Sequence, residues 1–284
     1  MERKEKISRG KWYVINIKAH KRQNAEHYVQ LFENIKNEDP IIPIYASKCA
    51  SIQQINFGPR NEKNIPHWIE IILMTYTIVD ADSFYNKRKK EDVMLESWNP
   101  DWVANKNEVQ LIFVPDIHVL ALKKSSKVSL NSVVKYLSLA AEHFEADMFD
   151  ITPIKDRGII SRIQNAHSIT KIEAKISFSN PAHTDDFLGL FDNKLKEMNP
   201  GSFEIKAENK NDLPLNHQED GLIDAMINLS ECNGVVKARI KETEDSKYVV
   251  INTNDYPAEY EIICYQRELW SYIRNFLINI YGEK

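Results

Sequence analysis

The chain has 284 residues, 43% of them hydrophobic, enough to bury a substantial core in one large domain or two ordinary ones. Its 37 Lys and Arg stand against 41 Asp and Glu, a formal net charge of -4. This excludes a polycation drawn as a whole to nucleic acid or membrane, so any such contact must be a local patch.

Residues 12–18 are β-branched and alternate loosely, predicting a strand. Residues 24–36 place Tyr28, Leu31, Phe32 and Ile35 at helical spacing behind Asn24, a capping residue. Strand-like runs follow over 42–58 and 67–80, the second apolar enough for the middle of a sheet. A charged, irregular stretch leads to two further strands, 109–115 and 118–123, with Asp116 in a tight connection between them. Residues 129–144 carry Leu130, Val133, Val134, Leu137, Ala140, Ala141 and Phe144 on one stripe, with Ser129 as N-cap.

In the second half, strands are predicted at 149–154, 168–179 and 202–209. Helices are predicted at 157–166, at 183–198 (capped by Thr184 and stopped by Asn199, Pro200 and Gly201) and at 218–231, with Gly234 just beyond the last. Residues 235–240 and 247–253 read as a hairpin, and 267–282 as a final amphipathic helix. The expected class is α+β: two mixed α/β sheet domains, 1–146 and 147–284, the second ending in the amphipathic helix. Trp270, Phe276 and Ile280 on that helix serve equally as core or as dimer contacts.

No G-x-G-x-x-G and no G-x-x-x-x-G-K-[ST] occurs, so the usual phosphate cradles are missing. Cys49, Cys232 and Cys264 form neither a disulfide framework nor a zinc motif, which fits a reducing cytosol. The N-terminus has no secretory pattern, and no apolar run nears the roughly 20 residues that cross a bilayer. A cytoplasmic protein without membrane contact is expected. Nucleophile motifs such as G-x-S-x-G are absent, and Cys232 reads as a packed helix end. The eight histidines are scattered; in the tetrad 183–186, Asp185 and Asp186 suit a helix start.

The Glu-x-Lys of residues 173–175 raises the question of chemistry. Alternation puts Ile172, Ala174 and Ile176 on one face of the strand and Lys171, Glu173 and Lys175 on the other. Glu173 and Lys175 on one face suit a magnesium-dependent nuclease, which needs a second carboxylate to hold the ion. Asp147, Asp150 and Asp156 lie upstream, Asp150 being the candidate, but the predicted helix at 157–166 intervenes. Outside that alternative no cofactor or metal is expected, and the tripeptide is the polar side of a half-buried strand.

The same lysines support another reading. If residues 235–241 join that strand in one sheet, Lys171, Lys175, Lys237, Arg239 and Lys241 form a basic surface for phosphates, giving affinity without sequence readout. Two more excesses of positive charge occur. Residues 118–141 contain Lys123, Lys124, Lys127 and Lys135 and no acid. Lys87, Arg88, Lys89 and Lys90 stand beside Phe84 and Tyr85, whose rings could stack on bases, although Glu91 and Asp92 follow. Each of these runs is also what a solvated surface carries.

Residues 168–258, with Asn180-Pro181, the Asn-Gly-x-Val-x-Ala of 233–238 and the Thr-x-Asp-x-Pro of 253–257, resemble a bacterial family known as a domain of unknown function, and 106–122 fit its middle segment. More remotely, 151–154, 170–175, 109–137 and 271–276 are similar to the phage-exclusion protein RexA. That similarity implies a homodimer that binds duplex DNA without strong sequence preference in defence against phage. The resulting expectation is an anti-phage or mobile-element-associated protein, non-enzymatic by itself, that binds nucleic acid through local basic patches. The alternatives are the nuclease at Glu173 and Lys175, and a protein-interaction module with a partner from the same operon.

Overall fold

The computed structural model describes residues 6–20, 24–80, 84–93, 99, 101–144, 149–176, 202–209, 213–219 and 221–282. The helix predicted at 183–198, Asp147 and the tetrad 183–186 lie outside the described residues. The class is α+β, and the larger sheet curls into a half-barrel.

The chain opens on β1 (Ile7–Ala19), then α1 (Ala25–Glu38), whose cap is Asn24: its side chain accepts from the His27 amide at 3.0 Å. There follow β2 (Ile42–Tyr45), β3 (Lys48–Phe57), β4 (Ile69–Ile78), the two-residue strands β5 (Tyr85–Asn86) and β6 (Glu91–Asp92), and β7 (Val103–Val114). A single 3-10 turn at Pro115–Ile117 connects to β8 (Val119–Lys123), the tight connection expected around Asp116. α2 (Leu130–Phe144) is capped by Ser129, whose hydroxyl accepts from the Ser132 amide at 3.2 Å. The remainder is β9 (Phe149–Pro153), α3 (Arg157–Gln164), β10 (Ser168–Ile176), β11 (Phe203–Glu208), α4 (Leu222–Asn233), β12 (Gly234–Lys241), β13 (Val249–Asn252), β14 (Glu259–Tyr265) and α5 (Leu269–Tyr281).

The larger sheet runs β14-β1-β8-β7-β4-β3-β2, and β9 also pairs with β1. Ile15, Ile17, Leu111, Phe113 and Leu120 face the core under α1 and α2; Trp12, Val14, Ile112 and Ala121 face α5 on the opposite side. Strands buried on both faces lose strict polar alternation, as β1 does between residues 14 and 19. Trp270 meets Trp12 edge-on at 6.4 Å, and Phe276 and Ile280 are likewise partly buried against this second core.

The smaller sheet, β11-β10-β12-β13, is antiparallel throughout. Its inner face (Ile172, Ala174, Val236, Ala238, Ile240) packs on Ile159, Ile163, Met226 and Ile227 of α3 and α4. Asp156, considered above as a metal carboxylate, instead caps α3 by accepting from the Ile159 amide at 3.1 Å. Gly234 follows α4 as predicted, but in extended rather than left-handed backbone (φ -179). Close approach explains it: a Cβ here would stand 2.3 Å from the Lys175 carbonyl oxygen of β10.

The two sheets meet at one junction. β9 pairs with residues 15–19 of β1 and β14 with residues 7–13, so both lie end to end along the same edge. The chain leaves that edge at Ile154 and returns at Ala258, whose amide donates to the Ile154 carbonyl at 2.8 Å. The smaller sheet is built wholly between these points. Residues on both sides of position 146 therefore contribute to the larger sheet. Lys155, just past the departure point, is only 2% exposed; its ammonium donates to Asn254 Oδ1 at 2.7 Å.

Burial lowers the Lys155 pKa to about 8 from 10.5. The unfolded chain then holds this proton more tightly, so the charge costs stability below pH 8, and the cost fades as pH rises toward 10.5. Denaturant unfolding should show the wild type gaining roughly 2 kcal/mol relative to Lys155→Met between about pH 7.5 and about pH 9.5; parallel pH profiles would contradict this.

Candidate functional site

The outer face of the smaller sheet brings together the predicted basic residues of β10 and β12. Strand register sets Lys171 beside Arg239, Glu173 beside Lys237 and Ser168 beside Lys241. On the other flank β11 sets Glu208 beside Lys171, Lys206 beside Glu173 and Glu204 beside Lys175. The β11–β10 half is consequently a checkerboard. Lys171 pairs with Glu208 at 3.4 Å and Glu173 at 3.5 Å, and Lys206 with Glu173 at 3.3 Å. Lys206, then Lys171, pulls the Glu173 carboxyl below its usual range; Glu208, then Glu173, raises the Lys171 ammonium.

The β12–β13 half has another character. Lys237, Arg239 and Lys241 point outward from β12 at alternate positions, about 7 Å apart. No acid lies on that strand, and the outward residues opposite on β13, Val250 and Asn252, are uncharged. The Arg239 guanidinium lies over the Tyr248 ring at 4.4 Å, and Val250 is 60% exposed. Among the described residues the carboxylate in register across from the stripe is Glu173, held by Lys171 and Lys206; Glu244 and Asp245 lie in the turn beyond its end. The stripe is therefore a row of cations with a stacking ring and an apolar side chain at its flank.

The other predicted patches are arranged differently. Lys123 donates to Gln110 at 3.2 Å, and Lys135 to the Ile44 carbonyl at 2.6 Å. Lys124 binds Glu259 at 2.5 Å, and Glu259 also takes Lys11 at 2.7 Å, so β14 supplies the acid that residues 118–141 lack. Lys127 is exposed in the turn before α2. Lys87, Arg88, Lys89 and Lys90 form the turn of the separate β5–β6 hairpin, where Asn86 Oδ1 accepts from the Arg88 and Lys89 amides, both at 3.1 Å, and Lys89 reaches Glu91 at 3.6 Å.

The nuclease set is not assembled. Asp150 stands on β9 of the larger sheet, bonded to His20 Nε2 at 3.0 Å, while Glu173 and Lys175 are on the smaller sheet. Among the described residues no group of three His, Cys, Asp or Glu is placed to hold a metal ion. Sequence reasoning missed the acids of β11, for which only the register against β10 is informative, and Tyr248, which carries no signal until β12 and β13 are paired.

A second concave region, about 910 Å³, opens at the start of α1 between Glu26, Arg60, Lys63, His67, Asp116 and His118. Charges of both signs line it, so it offers no single-signed field. His118 is stacked on Tyr28 at 4.3 Å in left-handed backbone (φ 58); burial, then the nearby Lys18, lowers its pKa to about 4 from 6.5. Below 6.5 the unfolded chain takes up this proton before the folded one does, so the stability His118 contributes is present above 6.5 and lost toward pH 4. Between about pH 7 and about pH 4.5 the wild type should lose roughly 2 kcal/mol more than His118→Asn, a residue that tolerates this backbone; equal losses would overturn this assignment.

Among the described residues no helix is long and apolar enough to cross a membrane. Comparison with curated proteins gives no match. The family model for a domain of unknown function, DUF4747, matches residues 9–274, from within β1 into the first half of α5. The protein therefore belongs to the DUF4747 family.

Proposed function

We propose that the protein binds nucleic acid, with duplex DNA as the expected ligand, through the cation stripe of β12. The observation that carries this reading is the contrast across one sheet face: β10 has its charges balanced by β11, whereas β12 carries Lys237 and Lys241 outward with no acid on the strand, and Asn252 of β13 faces Lys237. Phosphates neutralise such a row without base readout, so weak sequence preference and steep salt dependence follow. A net charge of -4 and the acidic turn beyond the stripe confine the contact to this patch.

Placing this binding in defence against phage or in mobile-element biology rests on the resemblance to RexA read from the residues alone. Metal-dependent cleavage at Glu173 has less support, because Lys171 and Lys206 already engage that carboxylate and Asp150 belongs to the other sheet.

Fluorescence anisotropy with a short labelled duplex tests the reading. Alanine at Lys237, Arg239 or Lys241 should weaken binding roughly tenfold each and lower the salt slope by about one unit each, while Lys127→Ala leaves both nearly unchanged. Absence of binding at low salt, or a triple variant that binds like wild type, would sink it.

A further inference from the structure

β14 ends the larger sheet, and among the described residues nothing pairs with its outer edge. The ladder fixes which peptide groups face outward. The Ala258 amide donates to Ile154 and the Gln266 amide to Lys6, both at 2.8 Å, so even-numbered peptide groups turn inward. The N–H and C=O of Glu259, Glu261, Ile263 and Tyr265 therefore point out of the sheet.

Exposed edges are usually blunted by shortness, proline, lysine or a bulge. At the opposite edge of this sheet β2 has only four residues, Pro43 among them, and an irregular register. β14 has no proline, lysine or bulge, and its two charged residues, Glu259 and Glu261, are already paired with Lys11 and Arg9: seven residues, Glu-Tyr-Glu-Ile-Ile-Cys-Tyr, pair with β1 without a register shift. Apolar side chains crowd it. Ile7, Ile263, Tyr265 and Tyr272 are 62%, 50%, 45% and 44% exposed, and Ile7, Ile263, Tyr265 and Tyr272 also line one shallow cavity around the strand.

We propose that this edge is the seam of a homodimer, in which β14 of a second copy pairs antiparallel with β14 about a two-fold axis at Ile263. That register is self-complementary. Ile263 meets its own counterpart, and Glu261 lies opposite Tyr265 of the second copy on both sides of the axis. Arg9 and Lys11 already neutralise Glu261 and Glu259 on the same face, which removes like-charge repulsion between the copies. Every outward peptide group from Glu261 to Tyr265 gains a partner, and the apolar fringe leaves water.

The proposal is independent of nucleic-acid binding. Sedimentation equilibrium of the full chain should give a mass twice 33.1 kDa at micromolar concentration. Ile263→Pro removes an outward amide without touching the ladder to β1, and Ile263→Lys places two ammonium groups on the axis. Each should raise the dimer dissociation constant by about 100-fold while the far-ultraviolet circular dichroism spectrum stays that of the wild type. A wild type that stays monomeric throughout this range, or dimers that survive both substitutions, would overturn it.

Discussion

The architecture depends on the pairing of β1 along both edges. One edge takes β8 along Trp12–Asn16; the other takes β14 along Ile7–Tyr13 and β9 along Ile15–Ala19, and only together do these two cover that edge. β9 and β14 are separated by the whole smaller sheet, so β1 acquires its second edge late, through contacts between distant parts of the sequence, a costly kind of closure. The departing and returning segments bond to each other at Ile154 and Ala258. This turns the smaller sheet into an excursion from a single point, and the tightness of that point explains why a lysine, Lys155, is buried there with an amide oxygen as its partner.

Strand register also decides which charges are available. A count of lysines along the chain makes residues 118–141 the most basic acid-free stretch, yet Glu259, brought over by β14, binds both Lys124 and Lys11. On the smaller sheet β11 does the same for β10, and β12 lies one strand too far to benefit. The same alternation that buries Val236, Ala238 and Ile240 holds Lys237, Arg239 and Lys241 outward. Surface ion pairs of the β11–β10 kind add little stability; their consequence is that half of the face has no net field, which leaves the stripe on β12 as the electrostatic feature of the sheet.

Much of this was legible in the chain. Period-two patterns placed residues 171–176 and 235–241 with the correct faces inward, and capping chemistry placed the starts of α1 and α2. Non-local pairing was not legible. Residues 149–153 read alone as an ordinary strand and 259–265 are not predicted as a strand, so nothing in either says that they share one edge of β1. The role of Gly234 was hidden for the same reason: its need for a missing Cβ arises from Lys175 on another strand, whereas position alone suggests a helix stop. The burial of the lysines at 18 and 155 has no signal in the sequence, since burial of a charge depends on what folds over it.

The central claim is that nucleic acid lies on the β12 half of the smaller sheet. Lysine acetylation with and without a short duplex, read by mass spectrometry residue by residue, tests it most directly. The account predicts that DNA shields Lys237 and Lys241 while Lys127, Lys206 and the hairpin lysines Lys87, Lys89 and Lys90 stay as reactive as before. Shielding of the hairpin or of Lys127 with β12 unprotected would contradict it.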